Sequence, residues 1–252
     1  MKIDTPALEE ISALRQLWKL AFGDEDSFID LFFEKGFAPE RCRSLTIEGQ
    51  TAAALYWFDA ECQGQRIAYL YGVATHPDYR GRGLCRKLMT DTHNHLLSLG
   101  YSGVLLVPQK ESLREMYRNM GYADCTTVSD FFCTDDPYPA PMHLIDGAEY
   151  AVLRKNYLPQ GSVLQEGSNL AFLSGFAKFY KGMDFIMAAA SEEDSLFAME
   201  FLGNRESAPG VLCALGFSQG TFRTIGDKKP FAMFHPLAED AAAPSYFGFA
   251  FD

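Results

Sequence analysis

The chain has 252 residues, of which 48% are hydrophobic and 22% charged, and its formal net charge at pH 7 is −11. That length suits two domains or one large one, and either can bury a substantial core. The acidic balance excludes nucleic-acid binding over a broad face, because phosphate attraction needs an extended basic surface, and no apolar run is long enough to cross a bilayer.

Thr5-Pro6 predicts the opening of a helix over residues 5–22, with Leu8, Ile11, Leu14, Leu17 and Trp18 at helical spacing. After Gly23 a second amphipathic helix is expected over 26–35. The period then changes to that of strands over 43–48, 51–59 and 66–75, joined by tight turns at Glu48-Gly49-Gln50 and Gln63-Gly64-Gln65, the pattern of an antiparallel meander. A helix follows from Leu84 to about Leu99 and is closed by Gly100. A short buried strand over 102–107 ends at Pro108, a helix carries Leu113, Met116, Tyr117 and Met120, and residues 122–134 read as strand. Three prolines between 137 and 141 interrupt regular structure. They place a boundary between a domain over 1–136 and one over 137–252. In the second domain, helices are expected around 146–157 and 169–180, strands at 184–190 and 195–202, and a short helix at 208–216. Alternating Phe247, Phe249 and Phe251 in the closing YFGFAFD predict a half-buried strand.

The start MKIDTPALEE lacks the basic and apolar regions of a secretion signal, and the six cysteines form no C-x-x-C pair. A cytoplasmic protein with reduced thiols, no disulfide framework and no metal site is therefore expected. His93 and His95 stand two apart on a helix, face different ways and read as surface residues, and His76 reads as a hydrogen bonder at a strand end.

One stretch carries chemistry. In YLYGVATHPDYRGRGLCRKLM (69–89) a strand runs into a glycine-rich turn that opens a helix. The unpaired N–H groups at such a helix start bind anions. Gly81 and Gly83 let the backbone approach a phosphate, and Arg80, Arg82, Arg86 and Lys87 add positive charge. For Arg86 and Lys87 a solvated helix start is an equal reading. The turn is neither a Walker loop nor a Rossmann fingerprint, for which Arg86 stands where a third glycine is required.

Arg80-Gly81-Arg82-Gly83-Leu84-Cys85 resembles the R/Q-x-x-G-x-G/A signature of the GCN5-related N-acetyltransferases, the GNAT superfamily, and EMYRNMGY (115–122) follows in that family's order. The wording VATHPDYRGRGL is nearest to the enhanced-intracellular-survival-like acetyltransferases. The resemblance implies an α/β (α+β) GNAT fold with a mixed, mostly antiparallel twisted sheet flanked by helices. The second, smaller α+β domain would be a degenerate copy or an unrelated lid. It implies acetyl-CoA as cofactor and transfer of its acetyl group to a primary amine, an acyltransferase activity. The alternative is a sensor or scaffold module that binds acetyl-CoA without transfer. Backbone groups of Val73, Ala74 and Thr75 would hold the pantetheine arm, N–H groups from Gly81 to Arg86 the pyrophosphate, and Ser112 and Leu113 would flank the arm. Tyr117, by spacing alone a core aromatic, would donate a proton to the departing thiolate.

Cys85 departs from the family's small residue, and the usual first strand is nearly missing, with only Met1 to Asp4 before Thr5-Pro6. Residues 66–75 contain no Asp or Glu, so the general base is left open among Asp252, with its side-chain and terminal carboxylates, Asp59 and Glu61. The negative charge favours a cationic acceptor such as a polyamine, an aminosugar or a lysine-rich peptide.

Overall fold

The computed structural model describes residues 1–192 and 194–251. The first half runs β1 (Lys2–Asp4), α1 (Ile11–Phe22), α2 (Asp26–Leu31), β2 (Cys42–Ile47), β3 (Gln50–Cys62), β4 (Gln65–Thr75), α3 (Leu84–Ser98), β5 (Gly103–Leu106), α4 (Glu111–Arg118), β6 (Ala123–Asp124) and β7 (Thr127–Thr134). The second runs β8 (Met142–Ile145), α5 (Gly147–Arg154), β9 (Val163–Leu164), α6 (Ser168–Leu173), β10 (Lys178–Gly182), β11 (Phe185–Glu192), β12 (Ser195–Gly203), α7 (Ala208–Leu215), β13 (Gln219–Ile225), β14 (Lys229–Pro230) and β15 (Met233–Pro236). Among the described residues no helix is long and apolar enough to cross a membrane.

The strands form two twisted, mostly antiparallel sheets. One has the order β1-β2-β3-β4-β5-β15-β6, with β9 attached to β3; the other has β14-β7-β13-β12-β11-β10-β8. The meander β2-β3-β4 closes through two-residue turns whose central residues, Glu48-Gly49 and Gln63-Gly64, all have positive φ, the twist-matched hairpin geometry. β3 is buried on both faces from Ala52 to Phe58. Its period of two sends Ala53, Leu55 and Trp57 under α3 and Ala54, Tyr56 and Phe58 to the middle of the molecule.

The two halves repeat one plan. Each has a strand, two helices, three antiparallel strands, a crossover helix (α3 or α7), and a fifth strand parallel to the fourth. In each, the fourth strand carries one extra residue against the third: Ala54 and Tyr56 face Ala74 and Tyr71, while Ala189 and Ala188 face Ala198 and Glu200. Each half then lends a strand to the other. β7 pairs with β13 in the second sheet, and β15 pairs with β5 and β6 in the first. The line between the sheets therefore does not follow the 136/137 division.

Several expectations change. A short β1 does exist, paired antiparallel to β2 from Lys2↔Thr46 to Asp4↔Ser44. The first helix begins only at Ile11, after a 3-10 turn over Leu8–Glu10. Residues 122–134 are two strands in different sheets. The helix expected over 169–180 ends at Leu173, and β10 follows because Phe179, Tyr180 and Lys181 each pair with both β8 and β11. Among the described residues of YFGFAFD, 246–251, no ladder forms beyond one bridge, Ser162↔Tyr246. Tyr246, Phe247, Phe249 and Phe251 are all buried, packed in the aromatic layer between the sheets instead of lying half-exposed on one.

His93 is not a surface residue. Its Nε2 is 2.8 Å from the Tyr122 hydroxyl and its ring stacks on His235 at 4.5 Å. Burial, and then the neighbouring His235, lower its pKa from 6.5 to about 4. Between those values the unfolded chain binds a proton that the folded one does not, so stability falls as pH drops from about 6.5 toward 4. The loss attributable to this ring is on the order of 2 kcal/mol. Urea unfolding at pH 7.5 and 5 reads it, and His93→Gln is expected to flatten that difference.

Candidate active site

β4 and β5 run side by side only from Ile67↔Gly103 to Tyr69↔Leu105. β4 then continues to Thr75, while the chain after β5 turns away at Pro108, so among the described residues no strand covers that edge of β4 beyond Tyr69. The parting is built by the bulge. Gly72 sits at φ 60, and a Cβ there would lie 2.8 Å from the Trp18 ring. A glycine inside a strand is a sequence signal for a bulge, and YLYGVAT carried it.

A cleft of about 570 Å³ fills the gap. It is lined by Tyr71, Gly72 and Val73 of β4, by Lys110, Leu113 and Tyr117 around α4, by Trp18, Phe22, Asp24 and Phe28 from the first half, and by Phe176, Phe197 and Met199 from the second. Phe251 completes it: its N–H reaches the Tyr69 hydroxyl at 3.3 Å, and its carbonyl accepts from the Tyr71 hydroxyl at 2.9 Å.

At the far end of β4 the chain passes a one-turn helix, Pro77–Tyr79, into α3. His76 caps that turn, its Nδ1 accepting the Asp78 N–H at 3.3 Å. Gly81 (φ 75) and Gly83 (φ 71) both hold left-handed backbone, and the space a Cβ would enter is open at each. Among the described residues no acceptor takes the N–H groups of 81 to 86, and the first bond of α3 is Lys87 N–H to the Gly83 carbonyl. This cradle is what an anionic diphosphate requires. The arginines meanwhile bond to backbone: Arg80 Nε to the Thr75 carbonyl (3.1 Å), Arg82 to that of Asp78 (2.9 Å) and Arg86 to that of Asn119 (2.9 Å). Leu84 is buried in the core under the sheet, Cys85 is half-buried and its thiol is raised by burial, so neither side chain faces the anion position.

The second half has the crossover helix but not the cradle. Pro209 lacks an N–H in the first turn of α7, and the chain over 136–140 lies across that end, with Ala140 N–H bonded to the Gly210 carbonyl at 2.8 Å.

Val73, Leu113 and Tyr117 line the cleft; Ser112 is exposed and Ala74 is buried, so only its backbone could serve a ligand. Tyr117 is 6% exposed, stacks edge-on against Tyr122 at 5.6 Å, and its hydroxyl has no hydrogen-bond partner among the described residues. Burial pushes that hydroxyl well above its usual 10, so it stays protonated. Asp59 is not at the cleft. It is held by Arg66 (2.8 Å) and the Tyr101 hydroxyl, and Glu61 is exposed on the same strand end. Asp252 lies outside the described residues. Asp24, which the sequence analysis does not single out, is the sole carboxylate among the described lining residues, and it accepts the Trp18 indole N–H at 2.7 Å.

Residues 2–125 match the model of the acetyltransferase (GNAT) domain. No curated protein matches the chain. Among solved structures it is similar to a GCN5-related N-acetyltransferase from Anabaena variabilis (15% identity, TM-score 0.74, covering 94% of this chain and 72% of that one). It is also similar to one from Kribbella flavida (16%, 0.68, 92% and 70%). A third is Eis1 from Mycobacterium abscessus (11%, 0.63, 94% and 74%). At these identities the likeness is one of fold.

Proposed function

From the premise that the first half of this chain is a GNAT acetyltransferase domain, we propose that the protein transfers the acetyl group of acetyl-CoA to a primary amine. The observation that carries the reading is the pairing of two features on one strand: an uncovered edge of β4 beside the cleft, and an anion cradle where that strand enters α3. The diphosphate of coenzyme A would take the N–H groups of residues 81 to 86. The pantetheine arm would add to the edge at Val73 and Thr75 as a short strand does, passing Leu113.

In the reaction the amine nitrogen attacks the thioester carbonyl, the N–C bond forms and the C–S bond breaks. The nitrogen loses one proton and the sulfur gains one, so the products are an amide and a free thiol. Tyr117 stands on the cleft wall with its hydroxyl protonated. Because its pKa is raised, its contribution is a hydrogen bond to the sulfur as charge builds there, with the proton following. Backbone N–H groups at the bulge are candidates to polarise the carbonyl. Asp252 is the proposed first recipient of the amine proton, and unchanged turnover after deletion of Asp252 would remove it from that role.

Calorimetric titration with acetyl-CoA tests the cradle. Gly83→Ala is expected to bind roughly 10- to 30-fold more weakly, since a Cβ at φ 71 costs about 1–2 kcal/mol and stands where the phosphate approaches. Equal affinity in the variant, or no heat with the native chain, overturns the assignment. Cofactor binding without thiol release across an amine panel would instead identify a binding module.

A further inference from the structure

The acceptor side of the cleft has a chemistry that overall charge does not convey. We infer that the acceptor is a monoamine carried on a flat apolar ring body, and not a polycation, an inference that rests on the acetyl-transfer reading of the same cleft.

Although the chain carries a net charge of −11, the described side chains lining the cleft include one carboxylate, Asp24, and one ammonium, Lys110. A polyamine or aminosugar would bring several ammonium groups against walls whose described residues offer a single carboxylate, and burying an unpaired charge is strongly unfavourable. The walls are rings instead. Trp18, Phe22 and Phe28 of the first half and Phe176, Phe197 and Phe251 of the second all line it, so both halves of the fold supply rings to the slot. Phe28 meets Phe176 at 5.7 Å and Trp18 meets Tyr71 at 5.6 Å. Phe22 stays 41% exposed while lining the cleft, which leaves ring area for a ligand to cover. Ring faces of this kind attract both another ring and an ammonium. Asp24 supplies one ionic partner. One of its oxygens takes the Trp18 N–H at 2.7 Å, and among the described residues no hydrogen bond reaches the other. One charge site within an aromatic slot matches a single ammonium on a ring-bearing body.

The test uses the full chain with two independent readouts. Binding is followed by quenching of tryptophan fluorescence, since Trp18 lines the cleft and the second tryptophan, Trp57, is buried in the other core. Turnover is followed by thiol release at saturating acetyl-CoA. The probes are 2-phenylethylamine, n-butylamine, spermidine and kanamycin. 2-Phenylethylamine is expected to exceed each of the others at least about tenfold in affinity and in kcat/KM. Phe22→Ala, at a half-exposed position that leaves the core intact, is expected to erase most of the preference over n-butylamine. Asp24→Asn is expected to weaken both monoamines alike. Spermidine or kanamycin binding as tightly as 2-phenylethylamine, or a preference that survives Phe22→Ala, overturns the inference while leaving acetyl transfer standing. If no amine is acetylated but 2-phenylethylamine binds selectively through Phe22 and Asp24, the transfer reading fails and the ring-amine site stands.

Discussion

Tyr117→Phe is expected to bind acetyl-CoA with unchanged affinity and to lose about 100-fold or more in kcat, the usual range for a positioned proton donor. The substitution keeps the ring that packs against Tyr122 and removes only an oxygen that has no hydrogen-bond partner among the described residues, so folding stability should be nearly unaffected. This separates two roles that sequence spacing leaves superimposed. A core aromatic would survive the loss of its hydroxyl with full turnover, whereas a donor to the departing sulfur would not. Single-turnover thiol release, compared with calorimetric affinity, makes the measurement. A drop confined to KM for acetyl-CoA would assign Tyr117 to cofactor binding, and full activity would return it to the core.

The largest expected effect on stability lies away from the cradle. Arg154 and Glu200 form an ion pair that is 2% and 0% exposed, with both guanidinium contacts to the carboxylate at 2.7 and 2.9 Å. The same carboxylate accepts the Tyr150 and Tyr246 hydroxyls, each at 3.0 Å, and Arg154 also holds the Val163 carbonyl at 2.9 Å. Every capacity of the carboxylate is therefore used. Arg154→Met leaves Glu200 charged and enclosed, and is expected to cost about 3–5 kcal/mol in urea unfolding. The double variant Arg154→Met, Glu200→Leu should recover part of that loss, because the penalty comes from an orphaned charge and not from absence of the pair. The consequence extends to function. Tyr246 is bonded to this pair and Phe249 lies under the guanidinium at 4.7 Å, so the pair seats the segment that ends at Phe251 in the cleft. Met199, beside Glu200, lines the same cleft. Recovery of stability without the pair in the double variant should therefore leave amine turnover lower than native.

Local chemistry made much of the first half legible. Two glycines around Arg82 announced a turn, a proline at 108 ended a strand, and alternating apolar residues marked the meander. The same rules failed where long-range packing decided conformation. Phe247, Phe249 and Phe251 alternate as a strand does, yet they are enclosed on all sides between two sheets, where no neighbouring strand offers a ladder. Lys178–Gly182 continued a helical pattern and became strand because β8 and β11 flank it. Asp24 and Gly72 were visible as letters, but nothing nearby in the chain said that both would line the cleft.

By itself, then, the sequence determined the backbone conformation of the turn at Gly81 and Gly83, because the glycines and the helix start that create it lie within a few residues of one another. It also determined the unbroken apolar run that buries β3 on both faces. Only the tertiary structure decided the aromatic lining of the cleft, the exchange of β7 and β15 between sheets, and the buried Arg154–Glu200 pair. Each of these brings together residues tens to more than two hundred positions apart, through packing within or between the two halves that no local propensity encodes.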